Sequence, residues 1–120
     1  MSFRIAEKEA LKSQHRQHRL GAVIVKGGRI LSSGFNSLRP SSMLKTDTLH
    51  AEASAILKLL KERRQHELVG SSIFVTRFTR GGRIGLALPC DDCFNLIQSV
   101  GIRKIFYTKD DGSTEELKVC

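Results

Sequence analysis

The run Leu20-Gly21-Ala22-Val23-Ile24-Val25 is apolar throughout and rich in β-branched residues. A strand with one wet face alternates apolar and polar side chains, whereas an unbroken apolar run needs cover on both faces. This stretch therefore predicts a central strand held between two layers. Gly27-Gly28 follows it and offers a tight turn into Arg29–Ser33, so the first two strands are expected to pair as an antiparallel hairpin.

Around that hairpin the period changes to that of helices. Residues 2–14 place Phe3, Ala6 and Ala10 on one side, and Leu49, Ala53, Ile56, Leu59 and Leu60 form a stripe running to about Arg64. Between β and α patterns, Gly34 to Thr48 reads as a loop, with Asp47 or Thr48 able to cap the second helix. A strand over Ser72–Phe78, a loop over Thr79–Leu88, a helix over Cys90–Val100 ended by Gly101 and a strand over Ile102–Thr108 complete the pattern. Asp110-Asp111-Gly112 then predicts a turn into a last edge strand. No residues remain there for a crossover helix, so this strand is expected to run antiparallel to the one before it.

A chain of 120 residues suits a single domain, residues 1–120. The charged, interrupted start lacks the apolar core of a signal peptide, and no apolar run is long enough to span a bilayer, so a soluble cytoplasmic protein without a membrane partner is expected. Three cysteines in such a compartment favour metal binding over disulfides. The net charge of +8 is concentrated early, with seven Lys or Arg against two Glu in residues 1–30, and favours phosphate-bearing partners.

Chemistry concentrates in His50-Ala51-Glu52 and Pro89-Cys90-Asp91-Asp92-Cys93, each at the start of a predicted helix. Cysteines three apart on a first helical turn point the same way, and the positive helix end stabilises thiolates. With His50 they would make a zinc site of three protein ligands. A catalytic zinc keeps its fourth position for water and brings that water's pKa to about 7. Glu52 lies on the inward stripe of its helix, an expensive place for a carboxylate unless it serves there as general base and then general acid.

These two motifs, in this order and on these elements, resemble the cytidine deaminase superfamily over roughly residues 20–108. The resemblance implies a three-layer α/β/α fold with a mixed five-stranded sheet, Zn2+ held by His50, Cys90 and Cys93, and Glu52 as proton shuttle. It also implies that Asn36, in Gly34-Phe35-Asn36, touches the sugar or base. Phe35, as a stacking platform, and Ala51 are counted with it at the substrate. Relatives often have a short step such as Thr-x-Glu before Pro-Cys; here Phe78–Leu88 (FTRGGRIGLAL) is longer, with Leu88 in the polar slot. Arg77, Arg80 and Arg83 stand in or beside that loop without an intervening acid, placed either to bind phosphates or simply to be solvated.

Simpler readings compete. Cys90-x-x-Cys93 alone is shared by redox motifs and closed structural zinc sites, to which Cys120 could add a fourth ligand. A zincin protease is excluded, since Ser54 stands where its second histidine would be. His15, His18 and His66 read as surface residues. The function expected is hydrolytic deamination of cytosine to uracil in cytidine or deoxycytidine, its monophosphate, or single-stranded DNA or RNA. The alternatives are an adenosine deaminase acting on RNA, and a non-catalytic zinc module that binds nucleic acid. A homo-oligomer is compatible with all three.

Overall fold

The computed structural model of the chain describes residues 2–13, 18–36 and 50–119. In chain order its elements are α1 (Ser2–Ala10), β1 (His18–Lys26), β2 (Arg29–Phe35), α2 (Ala51–Lys61), a 3-10 turn (Gln65–Leu68), β3 (Ser72–Thr79), β4 (Ile84–Gly85), α3 (Asp91–Ser99), β5 (Lys104–Thr108) and β6 (Thr114–Lys118). Asp47 and Thr48, expected as caps, lie outside the described residues, as do His15 and Cys120.

The strands follow the order β2-β1-β3-β5-β6, with β4 beside β3 and off this path. The β3–β5 pair is parallel, joined through α3, and every other pair is antiparallel. The antiparallel ending expected from Asp110-Asp111-Gly112 is present, with Ile105 opposite Leu117. Two elements depart from the sequence reading. The supposed loop after β3 folds back to make β4, which places Gly85 opposite Arg77 and Ile84 opposite Phe78. The unexpected 3-10 turn buries Leu68 completely.

Two glycines show how the layers close on the central hairpin. A Cβ at Gly21 would lie 2.0 Å from the Ala6 carbonyl oxygen, and one at Gly34 would lie 2.6 Å from the Ala55 amide. Gly21 opposes Phe35 and Gly34 opposes Ala22, so these contacts are on opposite faces of the sheet. Helix α1 covers one face and α2 the other, as the apolar run of β1 demanded.

The larger core lies on the α2 side. Ala22, Ile24, Ile73, Val75 and Ile105 of the sheet meet Ala55, Ile56 and Leu59 of α2 and Ile97 of α3. Each fully buried isoleucine contributes about 2 kcal/mol of hydrophobic stabilisation. On the α1 side Val23, Ala6 and Ala10 are buried. There Phe3 also packs edge-on against Phe74, which stacks on Phe106 with centroids 4.5 Å apart. Among the described residues no helix is long and apolar enough to cross a membrane.

The alternation of strand directions decides where a site can form. Strands β2 and β3 both end at the edge of the sheet from which the chain goes on to α2 and α3, so the N-termini of those helices open at one end. Clefts outside strand ends in such layered sheets are natural ligand sites.

Candidate metal centre

His50 is the N-cap of α2, with extended backbone (φ −75°, ψ 153°), and Cys90 is the N-cap of α3 (φ −68°, ψ 169°). Their carbonyls accept the first helical hydrogen bonds, from Ser54 at 2.9 Å and Phe94 at 2.8 Å. An N-cap side chain ordinarily folds back onto the helix amides, as Ser or Asp does. Neither His50 nor Cys90 makes a side-chain capping bond. Their side chains instead meet each other over the helix ends.

His50 Nδ1 lies 3.1 Å from Cys93 Sγ and 3.5 Å from Cys90 Sγ, and the three donor atoms are all within 4.8 Å of one another. Tetrahedral zinc, at about 2.0 Å from nitrogen and 2.3 Å from sulfur, holds such donors roughly 3.6 Å apart. Cys93 is fully buried and packs on Ala53 of α2, so the small residue lets the two helix starts converge. The three side chains expected to gather have done so.

Electrostatics point the same way. Burial, slightly opposed by Asp92, holds the His50 imidazole below its usual range and so favours the neutral, metal-binding form. Burial pushes the Cys93 thiol up, and the charges of Glu52 and Cys90 add to the effect. Among the described residues no Lys or Arg forms an ion pair with Glu52, Asp91 or Asp92. A group of potential anions with no fixed cation is a setting that a divalent soft-ligand metal completes, and the donor set fits Zn2+.

Glu52 stands two residues beyond His50 in the first turn of α2 and is only 3% exposed. Burial pushes its carboxyl up to about 7, against a smaller opposing hydrogen bond from its own backbone N–H. Such a group holds or releases a proton near neutral pH, which suits acid–base work.

The other expected site residues are distributed unevenly. Asn36 is buried at the end of β2, where its side-chain oxygen accepts the Leu20 N–H at 2.9 Å and its own N–H donates to the Leu20 carbonyl at 3.1 Å. Ala51 is fully buried in the core as the first residue of α2. Phe35 is half-buried, and strand alternation from Gly34 places it on the α1 face. Arg77 is half-buried on β3 opposite Leu20, on the face of Ile73 and Val75, and donates to the Leu86 carbonyl at 3.4 Å. Arg80 and Arg83 are exposed in the adjoining turn, while Arg19 lies over the Phe78 ring at 5.8 Å. His66 is exposed beyond the opposite end of α2.

Sequence reasoning missed Thr108 and Asp110. Both bond to the segment that leads into Pro89-Cys90, across sequence separations of 23 and 24 residues, and no local pattern announces this.

Comparison with known proteins agrees with this geometry. Residues 1–109 match the family model for the cytidine and deoxycytidylate deaminase zinc-binding region. The chain is 28% identical to the deoxycytidylate deaminase of Mycobacterium phage D29 over 129 residues, covering 88% of this chain and 90% of that protein. It is similar to the crystal structure of the dCMP deaminase of cyanophage S-TIM5 in apo form, with TM-score 0.68 and 30% identity over 90% of this chain and 79% of that one. The cytidine deaminase of Burkholderia pseudomallei shares the fold, with TM-score 0.73 and 20% identity over 98% of this chain and 90% of that one.

Proposed function

Because this chain belongs to the cytidine and deoxycytidylate deaminase family, we propose that it hydrolyses the amino group of a cytosine base to give uracil and ammonia, with deoxycytidylate as its preferred substrate. The observation that carries this is Glu52, a buried carboxyl with no cation paired to it among the described residues, beside the His50, Cys90 and Cys93 donors.

In this reading His50 Nδ1, Cys90 Sγ and Cys93 Sγ hold the zinc. Bound there, zinc supplies a Lewis acid that makes water nucleophilic near neutral pH. Glu52 takes a proton from the attacking water as its oxygen bonds to C4 of the base. It returns that proton to the amino nitrogen as the C–N bond breaks, so one carboxyl serves as base and then acid. Asn36, fixed by Leu20, contacts the sugar or base at the end of β2.

Deoxycytidylate is favoured over the nucleoside by charge and by kinship. Arg77 stands on the site face at the site end of β3, with Arg80 and Arg83 in the next turn. Guanidinium groups in that setting suit a phosphate monoester. Both the phage D29 and S-TIM5 relatives are dCMP deaminases by name. Family membership favours cytosine over adenine in RNA and over a non-catalytic zinc module.

The test offers zinc-loaded wild type and Glu52→Ala protein cytidine, deoxycytidine, their monophosphates, and single strands bearing cytosine or adenine, with products identified by mass spectrometry. Wild type is expected to convert dCMP with the highest kcat/KM and Glu52→Ala to convert nothing. Arg77→Met is expected to narrow the preference for the monophosphate over the nucleoside. Turnover of strands alone would overturn the substrate assignment, and no turnover of any substrate would overturn the enzymatic one.

A further inference from the structure

The two cysteines are positioned by different means. Cys93 is buried in α3 and braced by Ala53, whereas Cys90 is exposed and caps its helix. Beyond its carbonyl bond to Phe94, Cys90 is reached through residues 86–89, which belong to no regular element, so the approach of the chain to it is held from outside α3.

That hold comes from the end of β5. The Thr108 hydroxyl donates to the Gly85 carbonyl at 2.8 Å, and the Ala87 N–H donates to the Thr108 carbonyl at 2.9 Å. The Leu86 N–H donates to Asp110 Oδ1 at 2.9 Å. Successive residues of the strap are thus held from one place. Thr108, at 5% exposure, is buried, and removing its hydroxyl would strip the Gly85 carbonyl of that partner.

The adjacent acid serves the turn itself. Asp111 organises it, accepting the Ser113 N–H at 2.9 Å and the Ser113 hydroxyl at 2.6 Å. Asp110 reaches across the chain instead.

We propose that Thr108 and Asp110 are positioning residues for the zinc centre: they staple Gly85–Ala87 to the end of β5 and thereby set Cys90 against His50. This inference rests on the zinc-deaminase reading of the site. Supporting bonds behind metal ligands commonly tune affinity by roughly 10- to 100-fold.

The test uses the full zinc-loaded chain with Thr108→Val and Asp110→Ala, and with Thr108→Ser and Asp110→Asn as conservative partners. Zinc release to a chromophoric chelator is timed, and Tm is measured with and without zinc. Thr108→Val is expected to release zinc about tenfold faster and Asp110→Ala several-fold faster, at the lower end of such effects. The conservative variants should restore the wild-type rate. The Tm difference between zinc-loaded and zinc-free protein should shrink in the two disruptive variants, since ligand-linked stability follows affinity.

Wild-type release rates in both disruptive variants would overturn the staple. So would equal Tm losses with and without zinc, the mark of a merely structural role. If Thr108→Val does not fold, the exposed Asp110→Ala decides the matter. Wild-type protein that takes up no zinc would overturn the staple and the deaminase reading together, whereas tight zinc with unaffected variants would overturn the staple alone.

Discussion

Among the described residues two carboxylates are buried, on opposite faces of the sheet: Glu9 in α1, at 8% exposure, and Glu52 in α2, at 3%. One oxygen of Glu9 accepts from Lys12 at 3.1 Å and from the Ser33 hydroxyl at 2.8 Å, which ties α1 to β2. Among the described residues Glu52 has no such partner, and burial pushes it up to about 7. Similar burial of the same residue type thus has two meanings. The cation beside Glu9 explains its place, whereas under the proposed function the zinc chemistry at His50, Cys90 and Cys93 explains that of Glu52.

The two carboxyls should differ most in their amide substitutions. Glu52→Gln is expected to lower kcat by roughly 10²- to 10⁴-fold, the range for loss of a general acid–base group, with zinc content by metal analysis unchanged. Glu9→Gln should leave kcat within about twofold, because no acid–base step is assigned to it. Equal losses in the two would show that burial alone, and not the metal site, sets the importance of a carboxylate here.

Next in size is the loss of a buried ligand. Cys93→Ala is expected to lose its zinc on dialysis and to show one Tm whether or not zinc is added, where wild type shows two. A variant that keeps its metal would place the zinc elsewhere.

The two close-approach glycines sharpen the contrast between faces. Gly21→Ala and Gly34→Ala should each cost about 1–3 kcal/mol by chemical denaturation, since both force a Cβ into backbone atoms. Only Gly34→Ala, which displaces α2, should also weaken zinc binding. The smallest effect belongs to Glu9→Gln on stability. Its Lys12 partner is exposed and its second oxygen has no partner among the described residues, so a change under about 1 kcal/mol is expected.

Much of this was legible in the sequence because the signals are local. The unbroken apolar run of β1 required cover on both faces, and α1 and α2 supply it through Gly21 and Gly34. His50, Glu52, Cys90 and Cys93 carried their chemistry within two short motifs at helix starts. The short strand β4 was hidden because Gly81-Gly82 and two arginines read as a plain loop, while its pairing depends on Arg77 and Phe78 of the previous strand. The placement of Phe35 depends on strand register, which its neighbours in sequence do not reveal. The bonds of Thr108 and Asp110 to Gly85 and Leu86 gave no sign, even though Asp110 was read as part of a turn, since they exist only once β5 lies beside β3 and its following segment.

Anomalous scattering at the zinc absorption edge, from crystals of the zinc-loaded protein, decides whether the proposed zinc centre keeps an open position beside Glu52. The expected result is one peak about 2.0 Å from His50 Nδ1 and about 2.3 Å from Cys90 Sγ and Cys93 Sγ, with no fourth protein ligand. A fourth side chain on the metal, or a peak away from these three atoms, would contradict it.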